Sequence, residues 1–465
     1  MVGQNTSKIV LTYYAILLNL FFVPIVFFKA YLGPLPLSIE IITIPILAIC
    51  FFIDYIRGAI SFAAFRISPF VIAFAAYFIV SVISLFKAYS IAAGAMEIMR
   101  YLSYVFLFLI VVKVKFTDVH FRMFLYTFSA SLILVALYGL AQYMFGFSLN
   151  QSGMYALNEA KGRVASTFVN PNYYAGFINF VLPCVLLFVV CYVKSKFLQI
   201  FGMAVCGILL INLILTYTRA GWVTFIGGLF LIFVFSGKAF YKGLFKWRII
   251  ISAVVIIAVL FNMPDVQLRT KSALHAMSNV IQTYIGDDQE KKAADENNNI
   301  EENQSIESIR EDHNTEVAVV SRTILWKTGW MMFKENPMLG VGEGNYLVRY
   351  PDYVKKYPNL NLGYRAYSVH NSYLKILAET GILGLITFLS IFAVYYYFIA
   401  RQYFLSNHRI RPIIVAIFAG SATYFMQNLT NNLYFIPQVN VIFWIVSGLL
   451  FNYIVSMRKE NHIHS

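Results

Sequence analysis

Residues 172–193 read NYYAGFINFVLPCVLLFVVCYV, a stretch with no Lys, Arg, Asp or Glu. An α-helix rises about 1.5 Å per residue, so roughly 20 apolar residues cross the ~30 Å hydrocarbon core of a bilayer. The run therefore reads as a transmembrane helix. Outward from it, further apolar runs lie near residues 9–28, 37–53, 69–86, 98–112, 121–145, 197–217, 220–236, 249–263, 373–400, 412–428 and 437–456. Those near 37–53 and 220–236 are short for a crossing. The expected fold class is all-α: a polytopic integral membrane protein of about 12 transmembrane helices, with one long extracytoplasmic loop containing short helices.

Composition points the same way. Of 465 residues, 59% are hydrophobic and only 12% charged, against roughly 25% charged in a soluble domain. The net charge of +14 could suggest nucleic acid, but it also arises where Lys and Arg hold cytoplasmic loops against an anionic leaflet. Placement favours membrane lipids as partners and no nucleic acid. With a cytoplasmic N-terminus, the inner segments hold clusters such as Lys113, Lys115 and Arg122, then Lys238, Lys242, Lys246 and Arg248, while the short outer loops are poorer and Asn428 to Pro437 has no basic residue. Both termini are thus expected in the cytoplasm. Cys50, Cys184, Cys191 and Cys206 all lie in apolar runs without a CxxC pair, which speaks against disulfides and a thiolate metal site. The first run is longer than a signal-peptide core and lacks a clear small-residue cleavage site, so it reads as a retained anchor.

The chain divides into residues 1–263, with transmembrane helices 1–9; residues 264–369, an extracytoplasmic loop; and residues 370–465, with helices 10–12 and a cytoplasmic tail. Within the loop, residues 286–316 are acidic, rich in Asn and Glu and poor in apolar residues. They read as a flexible insertion. After it, SRTILWKTGWMMFKENPMLGVGEGNYLVRY (321–350) opens with apolar residues at helical spacing, breaks at Asn336-Pro337 and continues into a glycine-rich turn.

Four stretches carry chemistry, all on the outer side of this topology. GRVASTFVNPNYYAG (162–176) places Arg163 before an Asn-Pro-Asn turn. A helix cap explains Asn170 to Asn172 as well as a functional role does, but a cap does not need Arg163. LTYTRAGWVTF (215–225) places Arg219 in a hairpin between two apolar runs, where it either snorkels or binds an anion such as phosphate. In the 321–350 segment Arg322 precedes the glycine-rich GVGEGNY (340–346). Those glycines lack the spacing and the strand-to-helix context of a nucleotide-binding loop, and let the chain lie flat across the bundle mouth. Finally, YSVHNSYLKILAETGILGLI (367–386) sets His370 beside Asn371 where a polar segment becomes an apolar helix. Capping is one explanation. The other is general base catalysis, since a neutral imidazole is well suited to take a proton from a sugar hydroxyl and nearby arginines would keep it neutral.

Together these stretches resemble the O-antigen ligase/polymerase family of bacterial polytopic membrane proteins. The likeness is close at 329–346 and 370–385, good at 166–176 and 218–222, and spans about 166–390; the insertion at 286–316 departs from the pattern. The resemblance implies a glycosyltransferase that takes a glycan from an undecaprenyl-diphosphate carrier at the outer membrane face and joins it to a glycan or lipid acceptor. It further implies inversion, no metal and no cofactor. His370 matches the family's loop histidine, proposed as general base, and Arg219 and Arg322 match arginines that hold the diphosphate; Arg163 and Asn371 join them as expected substrate contacts. The residues agree with this chemistry, because an activated sugar needs a base on one face and cations on the leaving group, and guanidinium forks grip phosphate bidentately. A flippase and a chain-length regulator are expected accessory partners. The Ile/Phe/Lys/Asn-rich composition suggests a low-GC bacterium without lipid A, which favours polymerisation of a surface polysaccharide over ligation to a lipid core or protein. The competing class is a lipid-linked oligosaccharide flippase or transporter, but those usually carry internal repeats, and none is visible here.

Overall fold

A computed structural model describes residues 10–26, 29–32, 35–60, 68–146, 163–168, 170–262, 267, 322–363 and 367–463. The acidic insertion at 286–316 lies outside them. In chain order the helices are α1 (Leu11–Ile25), α2 (Ile39–Ile56), α3 (Pro69–Ser84), α4 (Ile91–Lys113), α5 (Asp118–Phe145), α6 (Pro171–Cys191), α7 (Lys196–Leu215), α8 (Arg219–Phe235), α9 (Gly237–Leu244) and α10 (Trp247–Phe261). They continue with α11 (322–335), α12 (Tyr346–Lys356), α13 (Ser372–Leu405), α14 (Arg411–Gln427) and α15 (Pro437–Ile463). One antiparallel hairpin, β1 (Lys29–Leu32) with β2 (Leu35–Ser38), pairs Lys29 with Ser38 and joins α1 to α2.

All twelve apolar runs fall on helices, but their lengths differ from the expectation of twelve crossings. Eight helices among the described residues are long and apolar enough to span a membrane: α2, α3 with its 3-10 continuation to Lys87, α4 to α7, α13 and α15. The chain is accordingly a multi-pass membrane protein. Helices α8 and α9 are bent by 113° across a short break and count as a ninth span only if taken together. The 15 residues of α1 and of α10 reach about 22 Å at 1.5 Å per residue, short of the ~30 Å core.

Burial sorts the helices into a core and a lipid-facing shell. Helix α6 packs against α7, α8 and α14, and 72% of its apolar window is buried, against 28% for α2 and α3. Small residues permit this closeness: a Cβ on Gly420 of α14 would sit 2.3 Å from the Phe180 carbonyl oxygen of α6. Polar side chains also join the core. Asn179 Nδ2 lies within 2.9 Å of Gly221 O, Thr224 Oγ1 and Gln427 Oε1, tying α6 to α8 and α14. Asp54, fully buried in the last turn of α2, accepts from the backbone N–H groups of Leu11 (3.1 Å) and Thr12 (2.7 Å) and from the Thr12 hydroxyl. A carboxylate there meets the unpaired amides and positive dipole end of α1.

Helix α13 is interrupted at Gly381 (φ 67°, ψ −166°). The break strands backbone groups that lipid could not satisfy. Chain from the segment before α12 supplies the partners: Ile382 N donates to Pro337 O, Val341 N to Ala378 O and Gly342 N to Glu379 O, all at 2.8–2.9 Å. The glycine-rich turn is therefore built into the bundle and completes a broken helix.

Candidate functional site

Two hydrogen-bonded corners form the site. The first joins the start of α6 to the α7–α8 hairpin. Asn170 caps α6 by accepting from Asn172 N at 2.8 Å, with Pro171 as the first helical residue. Arg163 donates through Nε to Thr216 O (2.9 Å) and through Nη2 to Thr218 Oγ1 (3.3 Å) and Asn172 Oδ1 (3.4 Å). This arginine thus clamps the hairpin to α6, contacts that its expected substrate role did not include. Between its anchor points Tyr217 adopts φ +50°, and the tight reversal presents Arg219 as the first residue of α8, half-buried.

The second corner is the start of α13. His370 has φ +52° and sits beside the Tyr367 ring, with centroids 5.5 Å apart. Asn371 caps α13 by accepting from Leu374 N at 3.0 Å. Ser372 donates from its hydroxyl to Asn428 Oδ1 (2.6 Å) and from its backbone N to Asn428 O (2.9 Å), while Asn432 Nδ2 donates to Ser368 Oγ. Gln427 Nε2 reaches across to Asn172 O at 3.2 Å. The amide-rich segment at 427–432 therefore bridges the two corners. The three described non-glycine residues with positive φ are Ser166, Tyr217 and His370, and each lies in one of the sequence stretches singled out above. Backbone strain of this kind gathers at functional sites.

Helix α11 lies over the start of α13: the Gly329 position faces Val369 and Leu374, and Leu325, Val341, Tyr346 and Val369 share a buried cluster. Arg322 opens this helix, half-buried. Burial, with the charge of Arg322 adding, holds the His370 imidazole well below its usual range, at about 4. The sequence pointed to arginine as the cause, whereas burial is the larger one.

Beneath this corner lies a charge cluster that the motif reading passed over. Lys375 Nζ and Glu379 Oε2 pair at 2.7 Å, both buried, and Lys375 Nζ also lies 3.6 Å from the centroid of the Phe435 ring. Glu343, 3% exposed, accepts from Ser81 Oγ (3.0 Å) and Tyr77 OH (3.3 Å) on α3. Burial, with Glu379 nearby, pushes the Glu343 carboxyl above the usual carboxylate range. The available signal was LKILAETG itself, a Lys and a Glu four apart inside an apolar helix, since ionisable residues in such segments are seldom idle. Among the described residues no three His, Cys, Asp or Glu side chains gather where they could hold a metal ion.

Residues 204–389 match the family model described as O-Antigen ligase. A comparison with curated proteins returned no match. The matched span contains Arg219, Arg322, the glycine-rich turn, His370 and the Lys375–Glu379 pair. Over that span the chain is similar to the O-antigen ligase family, in agreement with the likeness read from its motifs.

Proposed function

We propose that the protein transfers a glycan from an undecaprenyl-diphosphate carrier to an acceptor hydroxyl at the extracytoplasmic face of a bacterial plasma membrane, with inversion and without a metal, extending a surface polysaccharide. The observation that carries the reading is His370, a sequestered imidazole under the helix that Arg322 opens. In this reading the acceptor hydroxyl gives its proton to His370 as its oxygen attacks the anomeric carbon. The bond from that carbon to the diphosphate breaks on the opposite face, and the carrier leaves with the electron pair. Arg322 and Arg219 hold the departing diphosphate, where charge builds up in the transition state. Arg163 and Asn371 act one step back, through the hairpin and the cap. A bound diphosphate offsets the charge of Arg322 and so makes His370 a better base only once the donor is in place.

Ligation to a lipid core or protein would use the same site with another acceptor, and the description of the matched family favours that second reading. Surface glycan from a deletion strain separates them: loss of long chains with single repeats retained marks a polymerase, and intact but unattached polymer marks a ligase. The test of the site is His370→Gln. Purified variant protein should insert and fold yet lose transfer of lipid-linked glycan in detergent, and near-normal turnover would leave His370 as no more than a helix-start residue. Transfer by the wild type in detergent, where no second compartment exists, also separates an enzyme from a flippase. In the cell a flippase would deliver the donor and a regulator would set the chain length.

A further inference from the structure

We infer that Glu379 is a positioning residue for transfer: its buried carboxylate latches the glycine-rich turn onto α13 and, through Tyr346, holds Arg322 over His370. The inference rests on the reading of His370 as the base.

The links from Glu379 to Leu325 are contacts, and the last, from Arg322 to His370, is electrostatic. Glu379 is 1% exposed and uses both carboxylate oxygens, Oε2 for Lys375 Nζ at 2.7 Å and Oε1 for the backbone N–H of Tyr346 at 2.8 Å. Tyr346, fully buried, donates its hydroxyl to Leu325 O at 3.4 Å. Leu325 stands three residues after Arg322, one turn along α11 and on the same face. The rigid ring of Tyr346 is thus a strut between α13 and the first turn of α11. Lys375 pairs with the carboxylate from its own helix, and its ammonium rests on Phe435, in the segment that continues from the bridge at 427–432. The other charges bearing on Glu379 are Glu97 on α4 and Glu343 in the turn.

A purely structural latch and a positioning latch differ in one readout. If the strut holds Arg322 against His370 and keeps water out, loosening it returns the imidazole toward its ordinary range near 6.5. The acid limb of the pH profile then moves up. If the latch only stabilises the fold, the rate falls equally at all pH values.

The test compares two double variants that both remove the buried ion pair, so neither leaves a lone charge. Lys375→Met/Glu379→Gln keeps an acceptor for the Tyr346 amide, and Lys375→Met/Glu379→Met does not. The probe is undecaprenyl-diphosphate-linked glycan extracted from a strain lacking this protein, with kcat/KM followed from pH 4 to 8 and amide hydrogen exchange followed over residues 322–346. With the Met/Met variant, exchange at Tyr346 and in the first turn of α11 should accelerate about tenfold or more, the scale of one lost buried hydrogen bond. Its acid limb should rise by about one pH unit or more, and the Met/Gln variant should recover both properties in large part. The inference is overturned by unchanged exchange in the first turn of α11, by a loss of rate with no shift of the limb, or by identical behaviour of the two variants. His370→Gln separates the layers, because it should abolish transfer and leave the exchange pattern intact. If the wild type transfers nothing, the functional reading fails, and with it the positioning role.

Discussion

Arg163 was expected to contact substrate alongside Arg219 and Arg322, but its guanidinium has a structural task in the fold. Arg163 spends its fork on Thr216, Thr218 and Asn172, so Arg163→Ala should loosen the hairpin that presents Arg219. Thermal unfolding in detergent should register a loss of about 1–3 kcal/mol, the usual cost when a charged donor to buried groups is removed. Under the proposed diphosphate role, Arg322→Lys and Arg219→Lys should cut turnover about 10- to 100-fold, because an ammonium cannot reproduce a bidentate grip on phosphate. Full activity in both lysine variants would remove the diphosphate assignment. His370 adds a stability signature. Its folded value of about 4 lies below the unfolded value near 6.5, so its neutral burial contributes fully above about pH 6.5 and is lost as pH falls toward 4. The melting temperature should therefore drop between pH 7 and pH 5, and His370→Asn should flatten that slope.

At the scale of elements, the broken helix α13 and the turn that completes it act as one unit. Gly342 has φ +100°, and a Cβ there would lie 2.6 Å from Ala88 Cα; at Gly381, with φ +67°, a Cβ would lie 2.3 Å from the backbone carbon of Met338. Both positions combine a left-handed backbone with contact against main chain that cannot move aside. Gly342→Ala and Gly381→Ala should each destabilise by about 1–3 kcal/mol or more through strain and overpacking, and should also reduce transfer because α11 docks through the same turn. Wild-type melting and turnover in both variants would mean that the turn is not fixed to α13 in the membrane. From sequence, the glycines of 340–346 were expected to let the chain lie flat on the bundle mouth. That the backbone at 337–342 fills the gap of an interrupted helix was not foreseen, because a Gly within the run 373–400 does not by itself announce a break.

For the whole molecule, the testable boundary is the loop. We propose from its acidic, Asn/Glu-rich composition that the segment 286–316 is dispensable: joining residue 285 to residue 317 through a short Gly/Ser linker should preserve insertion and most transfer. A well-inserted deletion that transfers nothing would make the segment part of the site. The apolar runs by themselves determined that this is a helical multi-pass membrane protein, since 20 apolar residues have few other stable options in lipid. They also placed the helices, and the motif spacing picked out the histidine and arginines of the four stretches. Tertiary structure alone decided which distant polar groups meet. Glu343 stands more than 250 residues from the α3 hydroxyls that hold it, and Gln427 stands as far from Asn172. Such contacts follow from how close-packed helices cross and where one of them breaks, and neither is written in local periodicity.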